Sequence, residues 1–329
     1  MAKSTVFFKI KPRICSTFTI AGPKEGNSLF GKYIHEILKD DRFDEDTFEK
    51  AECKMLSYCI EQTIKSANKK QTDINALISG DLLNQIISAS FAARNFDFPY
   101  IGVYNACSTF SEALSLSAVL VDGGYMKNVV AATGSHFATA ERQYRYPLEL
   151  GSTRPPQSQW TVTGAGGALI TDKGSYPKII SATFGKVVDF GITDANNMGA
   201  AMAPACCDTL LTLLKETDTS PKDYDLILTG DLGALGSRLM KKLAKERGVN
   251  IDNHCDCGEM IYNLKEEEYQ GGSGAGCSAV VFSSYIYKKL MKKEIKRMIL
   301  LATGALLSSL SSQQGESIPG ISHAVVVEA

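Results

Sequence analysis

The segment Asn105-Ala106-Cys107-Ser108-Thr109 places a thiol where a thiol can act. It joins a predicted strand, Tyr100 to Tyr104, to the first turn of an apolar helix, so backbone N–H groups and the helix dipole point at the sulfur or at an anion beside it. Such a position lowers a thiol pKa and favours the thiolate. The competing reading is a small buried Cys chosen for packing. His136 follows a predicted strand, Val129 to Thr133, at the end where parallel α/β sheets bind ligands. It reads as a ligand contact or substitute base, or else as a hydrogen-bonded His at a loop start. Asp81 and Asp231 also follow predicted strands; capping the next helix is preferred to lining a pocket. Arg142, Arg145 and Arg154 suit an anion clamp, with solvated side chains the default. The run His254-Cys255-Asp256-Cys257 has no second C-x-x-C, and four consecutive residues cannot all face one ion, so loop residues and a buried Cys are preferred to zinc.

These residues sit on a pattern that is stated twice. Ile78-Ser79-Gly80-Asp81-Leu82 returns 150 residues later as Leu228-Thr229-Gly230-Asp231-Leu232. Ala132-Thr133-Gly134 returns as Ala302-Thr303-Gly304, in the same order. Two similar α/β halves follow, residues 1–175 and 176–329. In the first, helical spacing runs from Phe48 to Ile64 and from Leu83 to Arg94, and Ile74 to Ser79 reads as a buried strand. The stretch from Ser108 to Val121 is apolar on nearly every side, as a helix buried at a domain centre would be. Residues 138–165 read as an excursion over the surface that covers a site, before strands Gly166 to Thr171 and Lys178 to Val188. In the second half, helices at about 199–215 and 237–247 flank strand Asp225 to Thr229; Ser278 to Lys289 repeats the central helix and Met298 to Thr303 the strand after it. Strand and helix in alternation predict mostly parallel sheets in five layers, α-β-α-β-α, with the two apolar helices in the middle.

Composition excludes several classes. The 329 residues include 35 basic and 36 acidic ones, so no overall field attracts nucleic acid. No stretch approaches the roughly 20 apolar residues of a membrane helix, and the first residues lack an apolar signal-peptide core, which leads us to expect synthesis in a cytosol. Nine irregularly spaced cysteines read as reduced thiols. The basic cluster from Lys288 to Arg297 reads as an exposed helix end, with contact to a membrane surface as the alternative.

The duplicated halves, the Cys opening the first central helix and the Gly-rich start of the second resemble the thiolase and ketoacyl synthase superfamily over nearly the whole chain. Longer phrases bring the resemblance closer to a family of thiolase-like stage V sporulation proteins of endospore formers. They include Ala106-Cys107-Ser108-Thr109, Val121-Asp122-Gly123-Gly124, Met202-Ala203-Pro204-Ala205, the run from Gly271 to Val281 and that from Ala302 to Ser308. The superfamily resemblance implies a His in the loop after the second-half strand, where Thr229-Gly230-Asp231-Leu232 stands instead. It implies an Asn or His at the start of the second central helix, where this chain has Gln270-Gly271-Gly272-Ser273-Gly274, and a second Cys where it has Thr303-Gly304.

The narrower resemblance implies a non-catalytic thiolase fold that binds dipicolinic acid, free or as its calcium chelate, for uptake into the developing spore. No other cofactor or metal is expected. Cys107, Ser135, His136, Arg142, Asp231, Gly272, Ser273 and Gly304 are the expected ligand contacts, with Cys107 a relic nucleophile. The family also implies a peripheral place at the spore inner membrane beside other proteins of the uptake system. A homodimer is expected through the strand around Val129 to Thr133, read as an apolar sheet edge. Two rival readings stand beside this one: an acyl-CoA acyltransferase or condensing enzyme with acyl-Cys107 as intermediate, and a scaffold with a relic pocket.

Overall fold

The computed structural model describes residues 3–145, 147–151, 153–262 and 270–329. In its first half, β1 (Thr5–Phe7), β2 (Arg13–Ala21), α1 (Pro23–Asn27) and β3 (Glu36–Ile37) precede the outer helix α2 (Phe48–Ser66). Then come β4 (Ala76–Gly80), α3 (Ile87–Ala93), β5 (Tyr100–Gly102), α4 (Thr109–Asp122), β6 (Asn128–Ser135), α5 (Phe137–Tyr144), β7 (Trp160–Thr161) and β8 (Gly164–Thr171). The second half holds β9 (Lys178–Phe184), α6 (Met198–Thr217), β10 (Leu226–Thr229), α7 (Gly233–Glu246), β11 (His254–Asp256), α8 (Cys257–Ile261) and β12 (Gly272–Ser273). It closes with α9 (Ala275–Val281), α10 (Tyr287–Met291), β13 (Arg297–Ala305), α11 (Ser309–Gln313) and β14 (Gly320–Glu328).

Local chemistry sets these elements. Thr47 caps α2 by accepting from Lys50 N, and Ala51, Met55, Leu56, Cys59, Ile60 and Ile64 recur on its buried face. α4 is buried along most of its surface, and two of its serines turn inward on the backbone: Ser111 Oγ donates to Ser108 O at 3.0 Å and Ser115 Oγ to Ser111 O at 2.7 Å. A hydroxyl satisfied this way can be buried at little cost.

The strands form two sets with one pattern, β5-β4-β6-β8-β2 and β11-β10-β13-β14-β9. The sets meet where Arg13 pairs Lys178. In each set four strands run one way and one runs the other, because β8 runs against both its neighbours β6 and β2, and β14 against both β13 and β9. The sheets are thus mostly parallel, as strand-helix alternation predicts, with one reversed strand in each set. α4 packs on strands of both sets, with Phe110 meeting Phe282 of the second central helix at 5.9 Å between ring centroids; a π-helical turn, Phe282–Ile286, links α9 to α10. α2 and α6 cover the outer faces. Five layers result.

Two expectations change. β6 lies between β4 and β8, so it is an inner strand; the open edges are β5 and β11. The expected edge at Val129 to Thr133 was inferred from its apolar composition, which here reflects burial on both faces. The stretch 138–165 is also no surface excursion throughout. Ala138 to Glu141 are buried on α5, and Ser158, Gln159 and Val162 are buried beside β7.

Candidate functional site

The site is built at the C-terminal ends of the parallel strands, where α4 begins. Ala106 has φ +50, a left-handed conformation that L residues adopt at a cost, and it turns the chain so that Cys107 enters the helix. Gly304, at the end of β13, lies against Asn105; a Cβ there would collide with the Asn105 carbonyl oxygen. The repeated Ala-Thr-Gly phrase therefore keeps room for the Cys107 turn. Gly304 shapes the site through backbone space.

Cys107 borders a small cavity of about 30 Å³, whose walls include Tyr104, Tyr144, Arg145, Met198, Ser273 and Leu307. That volume holds about one water molecule. Tyr104 and Tyr144 close it outward: their hydroxyls are 3.2 Å apart, and Tyr144 Oη also donates to Leu82 O. On their other side lies a groove of about 410 Å³ that shares Tyr104, Tyr144 and Leu307 with the cavity. Its wall contains Gln85 and Ile86, at φ +56 and +46. A left-handed conformation at a β-branched residue is strained, and strain of this kind persists where surrounding structure holds it.

The electrostatics contradict the expected thiolate. Burial pushes the Cys107 thiol well above its ordinary range, and the neighbouring Asp231 carboxylate, which accepts from the thiol, pushes it further; Arg145 and the α9 start oppose this more weakly. The helix N-terminus contributes roughly 0.3–1 kcal/mol and loses to desolvation. Asp231 is itself pushed up to about 6 by burial. It is not a cap of α7. Its Oδ1 accepts from Thr303 Oγ1 at 2.7 Å and its Oδ2 from Gly274 N at 3.0 Å, fixing β13 and the start of α9 beside the sulfur. The cap on α7 comes from Asp256, which accepts from Leu232 N and Gly233 N at 2.9 and 3.0 Å. Asp81 does cap, accepting from Leu83 N and Ala89 N.

None of the four histidines lines the cavity. His136 is buried with both ring nitrogens in use: Nδ1 accepts from Ala138 N at 3.1 Å, which leaves Nε2–H to donate to Asp41 O at 2.8 Å. It caps α5 and offers no hand to a ligand. Burial lowers its pKa, so the neutral ring is the resident form. Ser135 is likewise structural, donating to Val162 O and accepting from Gly276 N. Gly272 and Ser273 pair with Trp160 and Thr161, and Ser273 reaches the cavity wall. His254 and Asp256 lie in strand β11 rather than a loop, and both meet the Thr229 hydroxyl. Among the described residues no group of three His, Cys, Asp or Glu side chains could hold a metal.

The cation at the site is Arg145, not Arg142. Arg142 is exposed and pairs with Glu49 at 2.8 Å. Arg145 is buried against the cavity, pairs with Glu141, and has a buried Nε that finds no partner among the described residues. Glu141 is also paired with Arg154, which lies over the rings of Phe137 and Trp160. One buried carboxylate is thus shared by two guanidiniums.

A family model described as stage V sporulation protein AD matches residues 2–328 of this chain. A stage V sporulation protein AD from Bacillus subtilis (strain 168) is 42% identical over 327 residues, covering 99% of this chain and 97% of that protein. Among solved structures, a 3-oxoacyl-[acyl-carrier-protein] synthase III from Aquifex aeolicus superposes with a TM-score of 0.57 at 13% identity, covering 97% of this chain and all of that one. Acetamide-bound OleA from Xanthomonas campestris gives 0.63 at 14% identity, covering 98% and 100%. These neighbours are thiolase-like enzymes, and at such identities they establish the fold that this chain shares with them: a thiolase-like α-β-α-β-α architecture.

Proposed function

The chain belongs to the stage V sporulation protein AD family, and from that premise we propose that it binds dipicolinate, free or as the calcium chelate, and performs no reaction on it. The observation that carries the non-catalytic half is the Cys107–Asp231 pair. A carboxyl poised near 6 is too weak a base to take the proton from a thiol pushed above 9, and no imidazole lines the cavity to replace it. Losing members of such a catalytic unit removes several orders of magnitude in rate. Incubation with acetyl-CoA or a longer acyl-CoA should leave Cys107 unmodified by mass spectrometry. An acyl-enzyme would replace this reading with that of an acyltransferase.

The binding half rests on Arg145, Tyr104 and Tyr144. A flat pyridine carrying two carboxylates suits a groove of about 410 Å³ walled by tyrosine rings, with a buried guanidinium behind them. The small cavity admits only part of the ligand. One carboxylate reaches Arg145 when the Tyr104–Tyr144 contact opens, while the ring stays in the groove. Calcium enters as part of the chelate. Calorimetric titration of the unmodified protein should register dipicolinate and not pyridine; equal response to both would remove the charge recognition, and response to neither would leave the scaffold reading.

On the same premise we propose a peripheral position at the spore inner membrane, beside other proteins of the uptake system. No helix among the described residues is long and apolar enough to cross a membrane. A homodimer belongs to this reading with its edge moved to β5, where Ile101 is 37% and Phe91 of the adjoining helix 41% exposed. A second copy pairing there about a twofold axis would cover both. Sedimentation at micromolar concentration should give a dimer that Ile101→Lys converts to monomer.

A further inference from the structure

The two ends of the molecule carry opposite charge. Beside the Ser135–Gly164 register at the cavity end, β3 pairs with Ile20 and Ala21, and the stretch from Glu36 to Glu49 has seven acidic residues against two basic ones. The other end is marked by one line of paired residues crossing both sets of strands: Asn128, Thr171, Arg13, Lys178, Glu328 and Arg297. Four segments turn there, residues 9–13, 122–128, 172–178 and 288–297, and together they hold twelve basic and three acidic residues in a chain whose net charge is −1. α4, about 21 Å long at 1.5 Å per residue, separates this end from Cys107.

Most acidic groups at this end are already engaged, Glu294 by Lys289. Asp122 accepts from Ile10 N, Asp225 accepts from Lys296 N and Arg297 N, and Glu328 pairs with Arg297. Lys9, Lys11, Lys127, Lys173, Lys292 and Lys293 are exposed and have no ion-pair partner among the described residues. Between them stand apolar tips: Tyr125 is 80% exposed, Met291 45% and Ile10 43%.

We propose that this basic end is the surface on which the protein sits against a bilayer, with its lysines over anionic lipid headgroups and Tyr125, Met291 and Ile10 entering the headgroup layer. The proposal rests on the peripheral position argued above and adds the face and the lipid chemistry. Lysines on flexible stems suit a diffuse anionic surface, and the apolar tips add burial that a lipid interface rewards. A nucleic acid fits less well, because the arginines that would read phosphate in bidentate fashion are occupied: Arg13 donates to Gly174 O and Ile10 O, and Arg297 holds Glu328. Docked this way, the acidic end and the mouth of the groove face away from the membrane. Net charge near zero conceals the asymmetry.

Co-sedimentation with vesicles of phosphatidylglycerol and phosphatidylcholine, against pure phosphatidylcholine, tests it with the full chain. Each lysine near an anionic surface contributes about fivefold to partition. Lys9→Gln/Lys127→Gln/Lys293→Gln should therefore weaken binding to the anionic vesicles about a hundredfold. Lys39→Gln/Lys50→Gln/Lys186→Gln, the same charge change on exposed residues at the other end, should leave it within a few fold. If the unmodified protein binds and both triple variants lose binding alike, the face is wrong while the peripheral reading stands. If the unmodified protein ignores anionic vesicles, both are wrong, and capture of a DNA duplex in their place would assign the patch to nucleic acid.

Discussion

Arg145→Gln should weaken dipicolinate binding by about tenfold to a hundredfold while leaving the fold intact. A hydrogen bond to a charged partner is worth roughly 1.5–3 kcal/mol, and that range converts to this loss of affinity. The protein tolerates the change because Glu141 keeps its second guanidinium, Arg154, so no buried carboxylate is stranded. Arg142→Gln is the matched comparison. Its guanidinium sits on the surface with Glu49, and its loss should leave affinity unchanged. His136→Ala should act differently again: it removes a helix cap and the bond to Asp41, so it lowers stability by about 1–2 kcal/mol with affinity following only as far as folding does. Calorimetry on the three variants, with urea unfolding of each, separates these outcomes; an undiminished affinity in Arg145→Gln would move the site elsewhere.

Stability should fall as pH rises from 6.5 to 8. Burial pushes Glu25 and Asp256 up to about 7, and Glu52 well above its ordinary value, with the nearby Asp81 adding to the burial of Glu52. The folded protein therefore holds protons that the unfolded chain, with carboxyls near 4, has released. Stability from these groups is present at low pH and is lost as pH climbs through their folded pKa values. Below 6.5 the histidines pull the other way. Burial lowers His35 and His323 to about 4 and His254 to about 3, so unfolding there takes up protons and acid destabilises through them. The two sets largely offset each other between pH 4 and 6.5, and above that range the histidine contribution fades as the unfolded chain loses its imidazole protons, leaving the carboxyls to dominate. Glu25, Asp256 and Glu52 carry the loss from pH 6.5 to 8. Urea unfolding at the two pH values measures it, and Glu52→Gln, which keeps a polar group beside Thr139 Oγ1, should remove a large share of the slope.

Much of this architecture could be read from residue order. The repeated Gly-Asp-Leu and Ala-Thr-Gly phrases mark equivalent strand ends in the two sets, and Cys107 lies at the strand-to-helix junction that its neighbours predict. The one reversed strand in each set, β8 and β14, was not legible, because strand-helix alternation points to parallel neighbours and carries no signal for a strand that runs against them. The site cation was harder to place. Ala138, Glu141, Arg142 and Arg145 fall at i, i+3, i+4 and i+7, one helical face, so spacing alone does not separate the two arginines; Arg145 is set apart by its place just past the helix end, where its backbone leaves the helical conformation. The role of Asp231 was less accessible. An Asp after a strand suggests a local cap, whereas its partners Thr303 and Gly274 come from elements 72 and 43 residues away. The thiol pKa depends on that same long-range neighbour, which a helix-dipole argument cannot see.

The most direct test of the account is a crystal structure of the protein with dipicolinate. The account predicts density for the ring in the groove beside Tyr104 and Tyr144, one carboxylate on Arg145, and an unmodified Cys107. Density in the separate groove between α2 and α3, lined by Lys54, Phe91 and Arg94, or an unchanged Tyr104–Tyr144 contact at saturating ligand, would contradict it.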